Sequence, residues 1–550
     1  MKKTIKKLLA LGLCLVMSVG VLAGCSGGNG GNTTKKEGSN EKASTESGSS
    51  DTSSSDDTQQ SSADSGTLKL AVTTGDGSTT DDKIPTPWYN RIFSTNLMFR
   101  SLFTTDSTLT EVNPDLAEGY EVSSDALTYT ITLKEGLKWS DGEALTADDV
   151  IFSINTALKT ATINSIYTAA FSKISEVTAD GNVITVKLAT PYSDIMKVLT
   201  QFAILPKHSL ENVDPLKLDS DVFWQNPVTS GMYALDELKV GNYFTLKLNE
   251  YYEGTAPKIT KVINYFVSDY ITAAQAGNTD YMYANAADQV ELMKVLDNYK
   301  SHEVGVLFYK YFIFNMKGVD GKENEAMQNV AVRKAIMKAI DRVSLSALYP
   351  NATVLNSGVP NEYEAYNGFE YTFDAEEAKK EIIASGYDMS RKIKICYYNN
   401  DQTSIDLINM IVYYLEQTGL TVEATLSNDG TTDLFTTRDY DIGFKGKAAF
   451  SLNEWYTEYI SSDALFANIF GGDTAFDSLI DELTSATDQN ATNEALKKLQ
   501  ELEQEKAYKV PLFTVGTYVF TNSRVTIPEG VTFCNPLYSC DINFANWEVK

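Results

Sequence analysis

The sequence predicts a two-lobed α/β protein with an extra β-rich subdomain in its first lobe, and three observations carry that prediction. About residues 67–550 remain after a leader and a polar stretch, too many for one hydrophobic core and enough for at least two. From Lys392 the chain reads as a strand to Tyr398, then a helix, then a strand from Leu420 to Leu426. The helix puts Ile405, Ile408, Ile411, Val412 and Leu415 on one face and closes at Gly419, so the whole is a βαβ unit. Between residues 112 and 200, by contrast, short alternating runs such as Tyr129-Thr130-Ile131-Thr132-Leu133 dominate, the pattern of half-buried strands.

The N-terminus reads as an address. Lys2, Lys3, Lys6 and Lys7 precede an apolar run from Leu8 to Ala23, shorter than the ~20 residues of a bilayer-spanning helix. The run closes on Leu22-Ala23-Gly24-Cys25, which resembles a bacterial lipobox. Residues 1–24 are therefore expected to be a lipoprotein signal peptide, with Cys25 the lipidated first residue of the mature chain. Residues 25–66 are Ser, Gly, Thr, Asn, Asp, Glu and Lys with hardly an apolar side chain. They cannot bury enough surface to offset their ordering entropy and are expected to be a flexible tether.

Elements then follow in order. Leu68 to Val72 is a first strand, entering a polar loop over Thr73 to Asp82. Ser140-Asp141-Gly142 is a turn, and Thr146 with Asp149 three residues on approximates a capping box for a helix carrying Val150, Ile154 and Leu158. Asp180-Gly181-Asn182 turns into a strand, Val183 to Leu188. Ile204 to His208 resumes the first lobe, and Leu246 to Asn249 is a further strand there. The second lobe begins near Tyr309 to Asn315, where Val332, Ile336, Ala339, Ile340 and Val343 fall on one helical face. Asp374 with Glu377 caps the next helix and Gly386 ends it. A last helix holds Leu496, Leu499 and Leu502, before Lys509 to Phe513 leads the chain back. The expected division is 67–111, 201–307 and 511–550 for lobe I, 112–200 for the inserted subdomain, and 308–510 for lobe II.

Composition excludes several functions. The net charge is −27, and loss of the leader lysines makes the remainder more acidic still. An acidic body without a basic stripe argues against nucleic acid as a partner. With only His208 and His302, a histidine metal site or a Ser-His-Asp triad has little to draw on. In residues 67–550 no G-x-S-x-G, H-E-x-x-H or phosphate-binding G-x-x-x-x-G-K-[ST] occurs. Asp148-Asp149 reads as a helix start and Asp81-Asp82 as solvated loop, not as catalytic pairs. Of the five cysteines, Cys396, Cys534 and Cys540 remain after the leader and Cys25. Cys534 and Cys540 either close a short loop or are small buried side chains.

Several runs, in this order, resemble one family. They are NPDLAEGY at 113–120, LKEGLKWSDGEALTADDV at 133–150, PVTSGMYAL at 227–235 and VRKAIMKAIDR at 332–342. Together they resemble the peptide/nickel class (family 5) of solute-binding proteins that serve ABC importers. The resemblance implies a type II periplasmic-binding-protein-like, Venus-flytrap fold and no catalysis. It also implies a monomer anchored by lipid at the extracytoplasmic face, capturing a peptide or another polar oligomer, such as an oligosaccharide, for a permease and its ATPase subunits. No cofactor or metal is expected. The runners-up are a surface sensor or chaperone-like lipoprotein on the same fold, and a carboxylate-based glycosidase.

The ligand site is expected between the lobes. With 31 Tyr and 24 Phe available, aromatic faces are natural platforms for sugar rings or side chains. The candidates are Trp88 and Tyr89 in the first-lobe loop, Tyr309 and Tyr311 at the first crossing, Phe450, Asn453, Glu454 and Trp455 in the second lobe, and Phe513 at the second crossing. Strand alternation over Leu307 to Phe314 sends either Tyr309 and Tyr311 or the intervening register toward the cleft. In peptide-binding members a segment resembling Gly-Trp-x-x-Asp-Tyr supplies an Asp for the peptide's α-ammonium. Here Phe450 stands for the Trp and Asn453 for the Asp. A neutral amide does not supply the charge-assisted bond of a buried ammonium, so either Glu454 takes the role or the ligand is not held by an ordinary peptide N-terminus.

Overall fold

In the computed structural model the described residues are 65–74, 79–89, 91–160, 163, 165–304, 307–463 and 465–550. The leader, Cys25 and the tether up to residue 64 lie outside them. Among the described residues no helix is long and apolar enough to cross a membrane.

The chain opens with β1 (Thr67–Thr73) and enters the inserted region. There β2 (Ala117–Val122), β3 (Thr128–Leu133), β4 (Ile174–Asp180) and β5 (Val183–Leu188) form a four-stranded antiparallel sheet, ordered β2-β3-β5-β4. Alternation does the work expected of it, since Tyr129, Ile131 and Leu133 are buried and their neighbours are not. Helix α1 (Ala147–Ala157) follows the predicted start. Asp149 Oδ2 accepts the Thr146 N–H at 2.8 Å, and Asp149 Oδ1 accepts the Lys207 N–H at 2.8 Å. That carboxylate is a buried brace between the insert and the first lobe.

A seven-stranded sheet follows from β6 (Tyr233–Lys239), β7 (Tyr243–Leu248), β8 (Lys261–Val267), β9 (Tyr281–Ala284) and β10 (Tyr299–Val304). The second sheet holds β11 (Phe308–Phe314), β12 (Thr353–Val354), β13 (Lys392–Tyr397), β14 (Thr421–Leu426), β15 (Ile442–Ala448) and β16 (Lys509–Thr514). The chain then returns to the first sheet as β17 (Thr517–Asn522). The first sheet is ordered β10-β17-β9-β1-β8-β7-β6 and the second β12-β16-β11-β15-β13-β14. β13 runs parallel to both β14 and β15, the predicted βαβ unit with α4 (Gln402–Gln417) as its crossover.

One hydrophobic core joins the first sheet to the insert, through residues such as Leu70, Ile131 and Ile184. The second sheet is covered on both sides. Phe308, Phe312 and Phe314 face one cluster, while Tyr309, Tyr311 and Ile313 face the other. β11 is accordingly buried along its whole length, as a central strand between two layers should be.

Two helices depart from expectation: α1 buries Val150 and Ile154 but ends at Ala157, leaving Leu158 46 % exposed at its C-cap. α2 (Val330–Lys338) buries Val332 and Ile336, but Val343 is 69 % exposed. Asp341 accepts the N–H groups of Val343 and Ser344 and starts a separate short helix, which turns Val343 outward. The Asp374 cap of α3 (Ala375–Ala384), the Gly386 stop and α6 (Gln489–Lys506), with Leu496 and Leu499 buried, follow the predicted pattern. Cys534 and Cys540 are both free thiols, with the Cys534 N–H 3.2 Å from Cys540 Sγ.

Candidate functional site between the two lobes

The chain passes between the sheets twice. β10 ends at Val304 in the first and β11 starts at Phe308 in the second, and β16 ends at Thr514 before β17 starts at Thr517. β13, β14 and β15 are parallel, so Tyr397, Leu426 and Ala448 end on one edge of the second sheet. Phe308 pairs with Ala448, which puts both crossings at that same edge. In open α/β sheets ligands sit outside the carboxyl ends of the parallel strands. Here that edge faces the first lobe.

The two lobes touch at this edge. Phe450, just past β15, packs into the first-lobe core with its ring 5.1 Å from that of Tyr538. Asp194 Oδ2, from the insert, accepts Ser451 Oγ at 2.6 Å and Asn453 Nδ2 at 2.9 Å. Asn453 Nδ2 also lies 3.1 Å from Ser193 Oγ, and the Ser193 N–H donates to the Thr484 carbonyl at 2.7 Å. Lys197 stands 3.6 Å from the other Asp194 oxygen. The lobes therefore meet through a polar clasp.

Behind the clasp lies a buried aromatic and ionic cluster. Trp455, on α5 (Leu452–Thr457), donates from Nε1 to Glu503 at 2.7 Å and lies 4.4 Å from the Tyr309 ring. Glu503 further accepts the Gly358 N–H, Tyr456 OH and Tyr459 OH at 2.9, 3.2 and 3.0 Å. Burial pushes its carboxyl above the usual range, and those donors work against the shift. Gly358 is required by close approach, because a Cβ there would stand 1.9 Å from Trp455 Cδ1. Lys509 Nζ sits 3.8 Å from the Trp455 ring centroid and 2.8 Å from Glu458, which also pairs with Lys447 at 2.8 Å. Burial opposes ionisation of Glu458, yet Lys447, Lys509 and Lys445 together hold it down to about 2. Burial lowers Lys509 to about 8 despite the same pair. The desolvated ammonium is the strained partner.

The candidates divide accordingly. Tyr309, Tyr311, Glu454 and Trp455 are brought together in the second lobe, with the Tyr309 hydroxyl on the Gly358 carbonyl at 2.8 Å. Phe450 and Asn453 lie at the lobe junction, the amide of Asn453 engaged by Ser193 and Asp194. Glu454 accepts the Phe450 N–H at 2.5 Å and stands 3.9 Å from Lys447. Trp88 packs within the first lobe, Nε1 on the Ala203 carbonyl at 2.7 Å and its ring stacked on Phe202 at 5.0 Å. Tyr89 is half-buried beside it. Phe513 is fully buried on the opposite side of the second sheet from Tyr309, against Tyr349. Sequence reasoning missed Ser193, Asp194, Ser451, Tyr538, Lys445, Lys447, Glu458 and Lys509. Lys445 and Lys447 left a trace, two residues apart in a run otherwise suited to a buried strand.

The fold and its junction define a two-lobed solute-binding protein. Residues 111–477 match the family of bacterial extracellular solute-binding proteins, family 5. The chain belongs to that family. It is similar to an ABC-transporter peptide-binding protein of Brucella ovis, 27 % identical over 341 residues, which cover 59 % of this chain and 62 % of the relative. The match thus spans about three fifths of that relative's length. The oligopeptide-binding protein AppA of Bacillus subtilis is 30 % identical over 273 residues, 47 % of this chain and 48 % of the relative. Among solved structures, the ABC-transporter substrate-binding protein CtaP of Listeria monocytogenes superimposes with a TM-score of 0.74 at 23 % identity, covering 88 % of this chain and 99 % of that one. Bacillus subtilis AppA in complex with a nonapeptide gives 0.70 at 20 % identity over 88 % and 99 %. These likenesses establish the fold.

Proposed function

We propose that this protein is the substrate-binding component of an ABC importer, held at the outer face of the membrane by lipid on Cys25. It captures a peptide or another polar oligomer between its lobes and delivers it to the permease. The reading is carried by one observation above all: two lobes joined by two crossings meet through Asp194, Ser451 and Asn453 at the carboxyl edge of a parallel sheet. Membership of a solute-binding family, not an enzyme family, and relatives whose names specify peptide or oligopeptide binding point the same way. Closure around a guest buries it from both sides and gives bound and free forms different shapes, which a permease can read.

Native mass spectrometry of the purified full chain tests this by identifying co-purified ligand, followed by thermal shifts with peptides and oligosaccharides. A ligand at 100 times its dissociation constant adds ~2.7 kcal/mol of stability. If no peptide or oligosaccharide moves the melting temperature, the proposal fails.

A further inference from the structure

On the face of the second sheet that α5 covers, and at the junction beside it, five buried or half-buried carboxylates are committed among the described residues. Glu458 bridges Lys447 and Lys509, Glu503 accepts four donors, and Glu454 takes the Phe450 N–H. Asp463 accepts the N–H groups of Leu465 and Phe466, and Asp194 holds the clasp. None of these five is free for a ligand ammonium; Glu362, exposed and close enough to Tyr309 to act on its hydroxyl, lies outside the buried cluster.

Two donors on the same face are not committed. Tyr311 is fully buried, and its hydroxyl has no hydrogen-bond partner among the described residues. Lys445, its direct register partner on β15, is half-buried, enters no ion pair among the described residues, and reaches only the Gly446 carbonyl at 3.2 Å. Its Nζ lies 5.8 Å from the Tyr311 ring centroid. Lys310 also enters no ion pair among the described residues. It points to the other face, however, where the rings of Phe308, Tyr349 and Phe444 surround its ammonium at 5.6, 5.4 and 5.7 Å and compensate it. Lys445 has one ring, that of Tyr311, and shares Glu458 at a distance with Lys447 and Lys509, but among the described residues neither Lys445 nor the Tyr311 hydroxyl has a direct acidic partner. A buried hydroxyl without an acceptor and a desolvated ammonium without a direct ion-pair partner are both costly, and one anionic group between them relieves both. They lie three residues, about 10 Å, in from the edge that meets the first lobe.

We infer that Tyr311 and Lys445 receive an anionic group of the ligand, so that the captured oligomer is recognised through a carboxylate or an equivalent acid and not through a free ammonium. The inference rests on the capture function proposed above.

Calorimetric titration of the full chain with three probes tests it: tetra-alanine with a free C-terminal carboxylate, its C-terminal amide, and an amide with one alanine replaced by glutamate. The acid-bearing peptides are expected to bind about ten- to a hundredfold tighter than the neutral amide. Whichever of the two acid forms binds tighter identifies a chain end or a side chain as the source. The gap should disappear in Lys445→Met, which keeps length and removes charge, and narrow in Tyr311→Phe, which keeps shape and removes the hydroxyl. An unchanged melting temperature shows that each variant is folded. Equal affinity for all three probes, or a gap that survives Lys445→Met, overturns the inference while leaving peptide capture intact. Binding of none of the three removes capture of peptides and this inference together.

Discussion

Asp194 offers the sharpest test of closure. Its Oδ2 accepts two hydrogen bonds from the opposite lobe, 2.6 Å from Ser451 and 2.9 Å from Asn453, while among the described residues of its own lobe Lys197 stands 3.6 Å from Oδ1. Asp194 precedes the short helix Ile195–Leu199 but makes no side-chain capping bond to it, so truncation leaves the first lobe's own hydrogen bonds in place. Hydrogen bonds to a charged acceptor contribute roughly 1.5–3 kcal/mol each. In the open form Ser451, Asn453 and Asp194 are all hydrated, which offsets part of that. We therefore expect Asp194→Ala to disfavour the closed form by about 3 kcal/mol, a factor of roughly 150 in the closure equilibrium. The Ser193 N–H to Thr484 bond survives, so closure is weakened and not abolished. Because the ligand is held by the closed form, its apparent affinity should fall by a comparable factor. Small-angle scattering of wild type and Asp194→Ala, with and without ligand, reports the open fraction, and calorimetry reports affinity. Asp194→Asn, which keeps one acceptor oxygen, should fall between. Scattering curves and affinities identical to wild type would refute the argument that this clasp sets the equilibrium.

Other expectations follow from the buried cluster. Gly358→Ala drives a methyl into the Trp455 indole and should destabilise the second lobe by about 1–3 kcal/mol or more in urea melts, with the first lobe's transition unchanged. Glu503→Gln puts a donor NH₂ among four donors and should cost about 3–5 kcal/mol by the same assay; a change below 1 kcal/mol would show those donors to be hydrated. Glu458 is held down to about 2 from an ordinary 4.5, so its ionised form stabilises the fold above pH 4.5. That stability should be lost as pH falls from about 4.5 toward 2, a slope that Glu458→Gln removes. Burial lowers Lys445 to about 8, with Glu458 opposing and Lys447 reinforcing the shift. Only the protonated ammonium attracts an anion, so affinity for an acidic peptide should decline as pH rises through about 8, and Lys445→Arg should flatten the profile.

Much of the scaffold was readable because its signals are local. The Thr146–Asp149 start, the Asp374 cap, the Tyr129–Leu133 alternation and the βαβ unit from Lys392 each depend on a few adjacent residues whose backbone preferences agree with the fold. Val343 was misread because helical periodicity cannot see the Asp341 cap that interrupts it. Aromatic residues gave a weaker signal. Trp88 and Trp455 look alike in sequence, yet one fills the first core while the other organises the second lobe's polar cluster.

By itself the sequence determined an α/β chain of two lobes with a β-rich insert, and its family. Only the tertiary structure decided what Asn453 does, because its partner Asp194 lies 259 positions away on the opposite lobe. It likewise decided which lysines are paired and which is left over. That outcome depends on distances of a few ångströms between β11, β15, α5 and β16, and burial there makes an unmatched charge expensive. Local propensity is written residue by residue, whereas the pairing of buried charges is settled only when distant segments meet.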